Sequence, residues 1–353
     1  MRKKVLRAAV FILIVALLLV YLNQVFTIAD SDSNKQIFNA FYSEEENTID
    51  AVYFGTSASN RYFIPPIAYE ETGMTVFTLA TMGMPMFLIP TLMDEVEKTQ
   101  DPKLYIIELR WALKDKDLIT DAHIRRVTDS MKISPNRAEA IENSLKFTEG
   151  AEGEFSNIDS KLDYYISLIK YHSRLETGDL TMNDILLAGT ENQVKGYVTT
   201  KNTVTQVVQK PAIYSDERTA LSPEADQALT ELLDYCDGLD QDIIFVIAPY
   251  SVKEGQMGKF NTAVDMVEER GYNVINFNNY QMFKTLGLVY ETDFYNSKHV
   301  NYLGAEKYTD YLTKYIDINY SLPNHKDEAG YESWGEAYDY YKDYVKDGIQ
   351  YRK

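Results

Sequence analysis

Five short runs of apolar, β-branched and aromatic residues recur along this 353-residue chain, at 49–55, 74–79, 104–109, 243–248 and 272–277. The stretches between them have the period of helices. Ile89, Leu92, Met93 and Val96 stand at i, i+3, i+4, i+7, and so do Phe260, Ala263, Val264 and Val267, with Gly271 closing the second run. Strands that alternate with helices predict a mainly parallel five-stranded sheet covered on both faces, a three-layer α/β/α fold. An apolar fraction of 45% suffices for its core.

The ends and the middle depart from this rhythm. Arg2, Lys3, Lys4 and Arg7 form a basic stub, 1–7, before an uncharged apolar run, 8–28, which as a helix just spans a hydrocarbon core. It is longer than the apolar part of a usual signal peptide and lacks a strong cleavage pattern, which favours an uncleaved single-pass membrane anchor over a signal sequence. The basic flank predicts a cytoplasmic amino terminus and an extracytoplasmic remainder. A polar linker is expected at 29–36 and the folded domain at 37–320. Within it, 111–240 shows no strand–helix–strand unit and reads as a largely helical insertion capping the strand ends. The last segment, 321–353, places Trp334, Ala337, Tyr338 and Tyr341 at helical spacing among acidic residues. This reads as a helix docked on the domain, with a partner-binding or interfacial helix as the alternative.

A net charge of −18, of which the basic stub supplies the opposite sign, makes nucleic acid a poor partner. Cys236 is the only cysteine, so no intramolecular disulfide forms. The four histidines, His123, His172, His299 and His325, are scattered without metal-ligand spacing, and no cofactor is expected.

Chemistry is suggested by two distant stretches. The first strand ends at Gly55, and Thr56, Ser57, Ala58 and Ser59 follow, so hydroxyls are delivered where open parallel sheets gather ligands. Ser57 is the candidate nucleophile and Ser59 the fallback. The second stretch sets His299, a candidate base, six residues after Asp293 and three after Asn296. On Gly55-Thr56-Ser57 and Asn296-Ser297-Lys298-His299 the chain resembles the SGNH (GDSL-type) hydrolase superfamily, which opens with Gly-Asp-Ser and closes with Asp-x-x-His. The nearest subgroup is similar to the membrane-anchored D-alanyl transfer protein of teichoic-acid modification and to alginate-type O-acetylation proteins. Lys170-Tyr-His-Ser-Arg174 and Lys195-Gly-Tyr197 resemble segments of that subgroup, and His172 there is a second-rank site candidate.

The resemblance implies an acyl-serine enzyme, an acyltransferase or esterase acting on cell-envelope glycopolymer beside a membrane-bound O-acyltransferase. It implies an oxyanion donor after the second strand, for which the Gly83 amide is the candidate. A second donor, an asparagine after the third strand, is replaced here by Glu108 and Arg110. Arg110 is a candidate for binding an oxyanion or an anionic substrate, with Glu108 holding its guanidinium. The aspartate of Asp-x-x-His is replaced by Asn296, so either Asn296 orients His299 through its carbonyl oxygen or Asp293 reaches the ring. A catalytically impaired assembly factor is the alternative function.

Overall fold

The computed structural model describes residues 2–27, 32–150, 161–187, 189–199, 215–253 and 255–345. Five strands, Ala51–Gly55 (β1), Val76–Ala80 (β2), Leu104–Glu108 (β3), Asp242–Ile247 (β4) and Asn273–Asn276 (β5), form one sheet in the order β2-β1-β3-β4-β5. Every pairing is parallel. The three-layer α/β/α fold expected from the alternation is present, and the strand ends fall within two residues of their expected positions.

Side chains of β1 divide by the two-residue period of a strand. Val52 and Phe54 enter one core with Phe77, Leu79, Tyr105, Ile107 and Phe245; Ala51 and Tyr53 enter another with Val76, Leu104, Ile106 and Val246. β1 is buried on both faces, which is why its sequence is continuously apolar. Each fully buried aromatic of these layers contributes about 2–3 kcal/mol by removal from water. The second face is closed by helix Tyr302–Asn319, whose Tyr308, Leu312 and Ile316 are fully buried.

Three boundaries differ from the sequence reading. Helix Asp32–Ser43 takes up most of the stretch expected as linker at 29–36, of which 29–31 lie outside the described residues. Its polar residues turn inward: Asn34 Oδ1 accepts the Met82 N–H at 3.0 Å, and Gln36 Nε2 donates to Thr190 Oγ1 at 2.8 Å. Helix Pro223–Cys236, within the stretch read as cap, buries Leu229, Leu232 and Leu233 against the sheet and is part of the β3–β4 crossover. The tail helix is Glu332–Tyr340, docked through fully buried Trp334, whose ring lies 6.1 Å from that of Tyr69. Within the stretch read as cap, residues 200–214, rich in Thr, Val and Gln, lie outside the described residues, as do 346–353 of the tail.

The amino-terminal helix runs unbroken from Arg2 to Phe26 and is long and apolar enough to cross a membrane. No residue of its most apolar window is buried among the described residues.

Candidate active site

Strand order in the sheet reverses at β1, which lies between β2 and β3, and a crevice opens there at the carboxyl ends of the strands. Helix Ser57–Asn60 begins directly after β1. Thr56 caps it: its hydroxyl accepts the Ala58 N–H at 3.1 Å and donates to Glu108 Oε2 at 3.3 Å. The turn depends on Gly55, where an added Cβ would stand 2.3 Å from Ser59 Oγ and 2.7 Å from Glu108 Cβ. Ser57 faces the crevice, whereas Ser59 is fully buried and donates to Phe54 O at 3.3 Å. The helix start thus separates the two serines, and Ser59 is not presented to the crevice.

The histidine comes from a hairpin. Phe294–Asn296 (β6) and His299–Val300 (β7) are antiparallel, with Asn296 and His299 as cross-strand partners around Ser297 and Lys298. Gly304 lets helix Tyr302–Asn319 approach this hairpin, since a Cβ there would stand 2.5 Å from Asp293 O and 2.8 Å from Val300 Cβ. His299 Nε2 lies 2.8 Å from Ser57 Oγ, and Nδ1 lies 3.1 Å from Asn296 Oδ1. The Lys298 N–H donates to that same Oδ1 at 2.8 Å, so the amide of Asn296 presents its oxygen to the ring. An oxygen facing Nδ1 requires Nδ1 to carry the proton, which leaves the Nε2 lone pair to accept from Ser57. Asparagine therefore sets the tautomer that an aspartate would set, without the charge.

Asp293 does not reach the ring. Its buried carboxylate accepts from the Val289 N–H at 2.8 Å, the Thr292 hydroxyl at 2.9 Å and Lys307 Nζ at 2.6 Å. It lies before the hairpin and turns away from the crevice, so of the two expected partners Asn296 orients His299. His172 is also apart: it is exposed, outside the crevice, with Nδ1 2.6 Å from Ile169 O.

Arg110 lines the crevice, and the part expected of Glu108, holding the Arg110 guanidinium, is the one that differs. The Glu108 carboxylate accepts the main-chain N–H of Arg110 at 3.0 Å and forms no ion pair with its guanidinium. The guanidinium instead donates to Lys298 O at 2.9 Å and Tyr62 Oη at 3.3 Å, and lies 4.1 Å from the Tyr250 ring centroid. Tyr62 Oη also donates to Lys298 O at 2.8 Å, so Arg110 and Tyr62 together hold the hairpin turn. Burial pushes the Glu108 carboxyl up to about 7, against the lowering influence of Arg110.

Gly83 lines the crevice with φ of +76°, in the left-handed region, and a Cβ there would stand 2.4 Å from His123 Cδ2 and 2.7 Å from its Nε2. The amides of Ser57 and Gly83 donate to no described residue. His123 was not among the residues picked out from the sequence. It sits in the first turn of helix Asp121–Thr128, where its Nδ1 accepts the Thr120 N–H at 3.1 Å. Nε2 therefore carries the proton and has no described partner. Burial, then Arg126 and Lys114, hold the ring neutral by lowering its pKa to about 4. Thr-x-x-His resembles a capping box, the one signal in the sequence that could have marked it.

The crevice encloses about 380 Å³ and, among the described residues, is lined by four cations, Arg110, Lys114, Arg126 and Lys298, and by no carboxylate. Such a pocket in a chain of net charge −18 concentrates positive potential at the serine. It also acts on the base: burial, followed by Arg110, Arg61 and Lys298, lowers the His299 pKa to about 3.

Fold and site together define a three-layer α/β/α domain with a Ser57–His299–Asn296 relay at the carboxyl end of β1. No protein-family model matches the chain, and no curated protein matches it.

Proposed function

We propose that the protein is an SGNH-like serine acyltransferase or esterase, similar to the D-alanyl transfer and alginate-type O-acetylation proteins. In this reading the amino-terminal helix anchors it with the amino terminus in the cytoplasm and the domain outside. It acts on O-acyl groups of a cell-envelope glycopolymer, with a membrane-bound O-acyltransferase as partner. The observation that carries the reading is the 2.8 Å approach of Ser57 Oγ to a His299 Nε2 whose tautomer is set to accept a proton.

In the first half-reaction, Ser57 Oγ bonds to the acyl carbon as its proton passes to His299 Nε2. The carbonyl oxygen takes up the electron pair and is held by the Ser57 and Gly83 amides and by the Nε2–H of His123, which lines the crevice beside Gly83. Collapse breaks the bond to the leaving oxygen, which takes the proton from Nε2. In the second half, an acceptor hydroxyl or water gives its proton to Nε2 and attacks the acyl-serine, and Ser57 leaves with that proton. Cations around the crevice support an anionic, teichoic-acid-like acceptor.

The low basicity of His299 and the uncharged Asn296 favour a second reading, an impaired assembly or binding factor for the same O-acyltransferase system. A fluorophosphonate probe separates the two on the full chain in detergent. The enzyme reading expects one labelled serine, lost in Ser57→Ala, strongly slowed in His299→Ala and retained in Ser59→Ala. A folded protein that does not label sinks the enzyme reading and leaves the assembly factor.

A further inference from the structure

The carboxyl end of the amino-terminal helix is built into the folded domain. Leu22, Val25 and Phe26 pack on Leu168, Tyr171 and Leu180. The Leu168 N–H donates to Asn23 Oδ1 at 2.9 Å, and the Arg174 guanidinium donates to Phe26 O at 3.0 Å while paired with Asp184 at 2.6 Å. The helix is about 37 Å long at about 1.5 Å per residue, against about 30 Å for a hydrocarbon core. Its large apolar side chains are exposed from Val5 to Tyr21, so the turn Leu22–Phe26 emerges at the bilayer surface.

The segment that grips this turn, 162–187, is unusually apolar on its outside. Leu162, Ile166, Ile169, Leu175, Met182 and Ile185 are between 40% and 67% exposed. Beyond the membrane helix, the described residues include twelve exposed large hydrophobic side chains, and these are six of them. Clustering of this kind marks an interaction surface, and its position at the emerging helix says with what.

We infer that segment 162–187 is a membrane-interface platform whose apolar side chains enter the headgroup region of the leaflet from which the helix emerges. The inference rests on the helix being a membrane anchor. The domain then has two attachments to the bilayer, the helix and the platform, and the rigid contact between them sets how the crevice is tilted over the surface.

Nitroxide labels on the full chain in phosphatidylcholine–phosphatidylglycerol vesicles test this, through Leu175→Cys, Met182→Cys and, as control, Ile318→Cys, whose site is 81% exposed on a sheet-covering helix. Cys236 is buried with its thiol pushed up to about 12, and does not compete for the label. The expected result is a ratio of collisions with oxygen to collisions with a water-soluble nickel chelate at least about fivefold higher at 175 and 182 than at 318. A ratio equal to that at 318 overturns the platform, and so do labels shielded from both probes, which would mean a protein covers them. Vesicle flotation after an alkaline wash reports the anchor separately: floating protein with control-like labels leaves the anchor standing, whereas protein that does not float removes both.

Discussion

Asn296 Oδ1 lies 3.1 Å from His299 Nδ1 and takes the Lys298 N–H on the same oxygen, so a neutral amide holds the imidazole in the tautomer that a serine base needs. What the pair lacks is a charge to stabilise the imidazolium. Asn296→Asp supplies it and raises the His299 midpoint, read by NMR of the ring, while fluorophosphonate labelling of Ser57 accelerates about tenfold or more. Asn296→Leu removes the acceptor and slows labelling by at least about 100-fold. An unchanged rate in both variants would show that Asn296 does not act on the base.

His299 also dictates the pH dependence. Burial and the cations Arg110, Arg61 and Lys298 lower its pKa to about 3. The base is neutral above that value, so the labelling rate of the wild type with an uncharged probe stays level as pH falls from 8 to 5. A rate that halves near pH 6.5 would mean that the ring is not held in this environment.

In the proposed reaction His123 is the third oxyanion donor through Nε2–H, its Nδ1 being occupied by the Thr120 N–H. His123→Ala slows phosphonylation of Ser57 on the order of 100-fold, the usual cost of one oxyanion donor. His123→Gln, which places an amide N–H in the same region, recovers most of the rate. Equal slowing in both variants with unchanged melting temperatures would contradict a donor role.

Glu108 provides a stability test. Its carboxyl, buried and accepting the Arg110 N–H, is raised from 4.5 to about 7. A raised carboxyl favours the folded state below its unfolded pKa and loses that contribution as pH rises through the folded one. Relative to wild type, Glu108→Gln therefore gains on the order of 3 kcal/mol between pH 4.5 and pH 8, measured by denaturant unfolding at both. A difference independent of pH would place the carboxylate in contact with solvent.

Asp293 is a structural residue by its partners Val289, Thr292 and Lys307. Asp293→Ala leaves a buried donor unpaired and costs roughly 2–4 kcal/mol of stability. Labelling of the folded protein by the fluorophosphonate keeps its wild-type pH profile, which a lost triad member would not allow.

The parallel sheet was legible because it is written in local signals. Strands buried on both faces are continuously apolar, and covering helices repeat their apolar residues at 3.6 spacing, so 104–109 and 89–96 could be read without knowing their neighbours. Crossover helix Pro223–Cys236 was hidden by the polar stretches before it, and helix Asp32–Ser43 by Asn34 and Gln36, whose partners Met82 and Thr190 are distant in sequence.

The sequence by itself determined the layered α/β/α architecture, the long apolar helix, and Ser57 and His299 as residues of a strand end and a late loop. Only the tertiary structure decided which of two serines faces the crevice, that Asn296 rather than Asp293 meets the ring, and that His123 stands beside Gly83. Periodicity reports which face of an element is buried, a property of neighbouring residues. Direction and partnership of a polar side chain depend instead on hairpin register, helix start and backbone approach, which are fixed by contacts between distant segments, Ser57 and His299 being 242 positions apart.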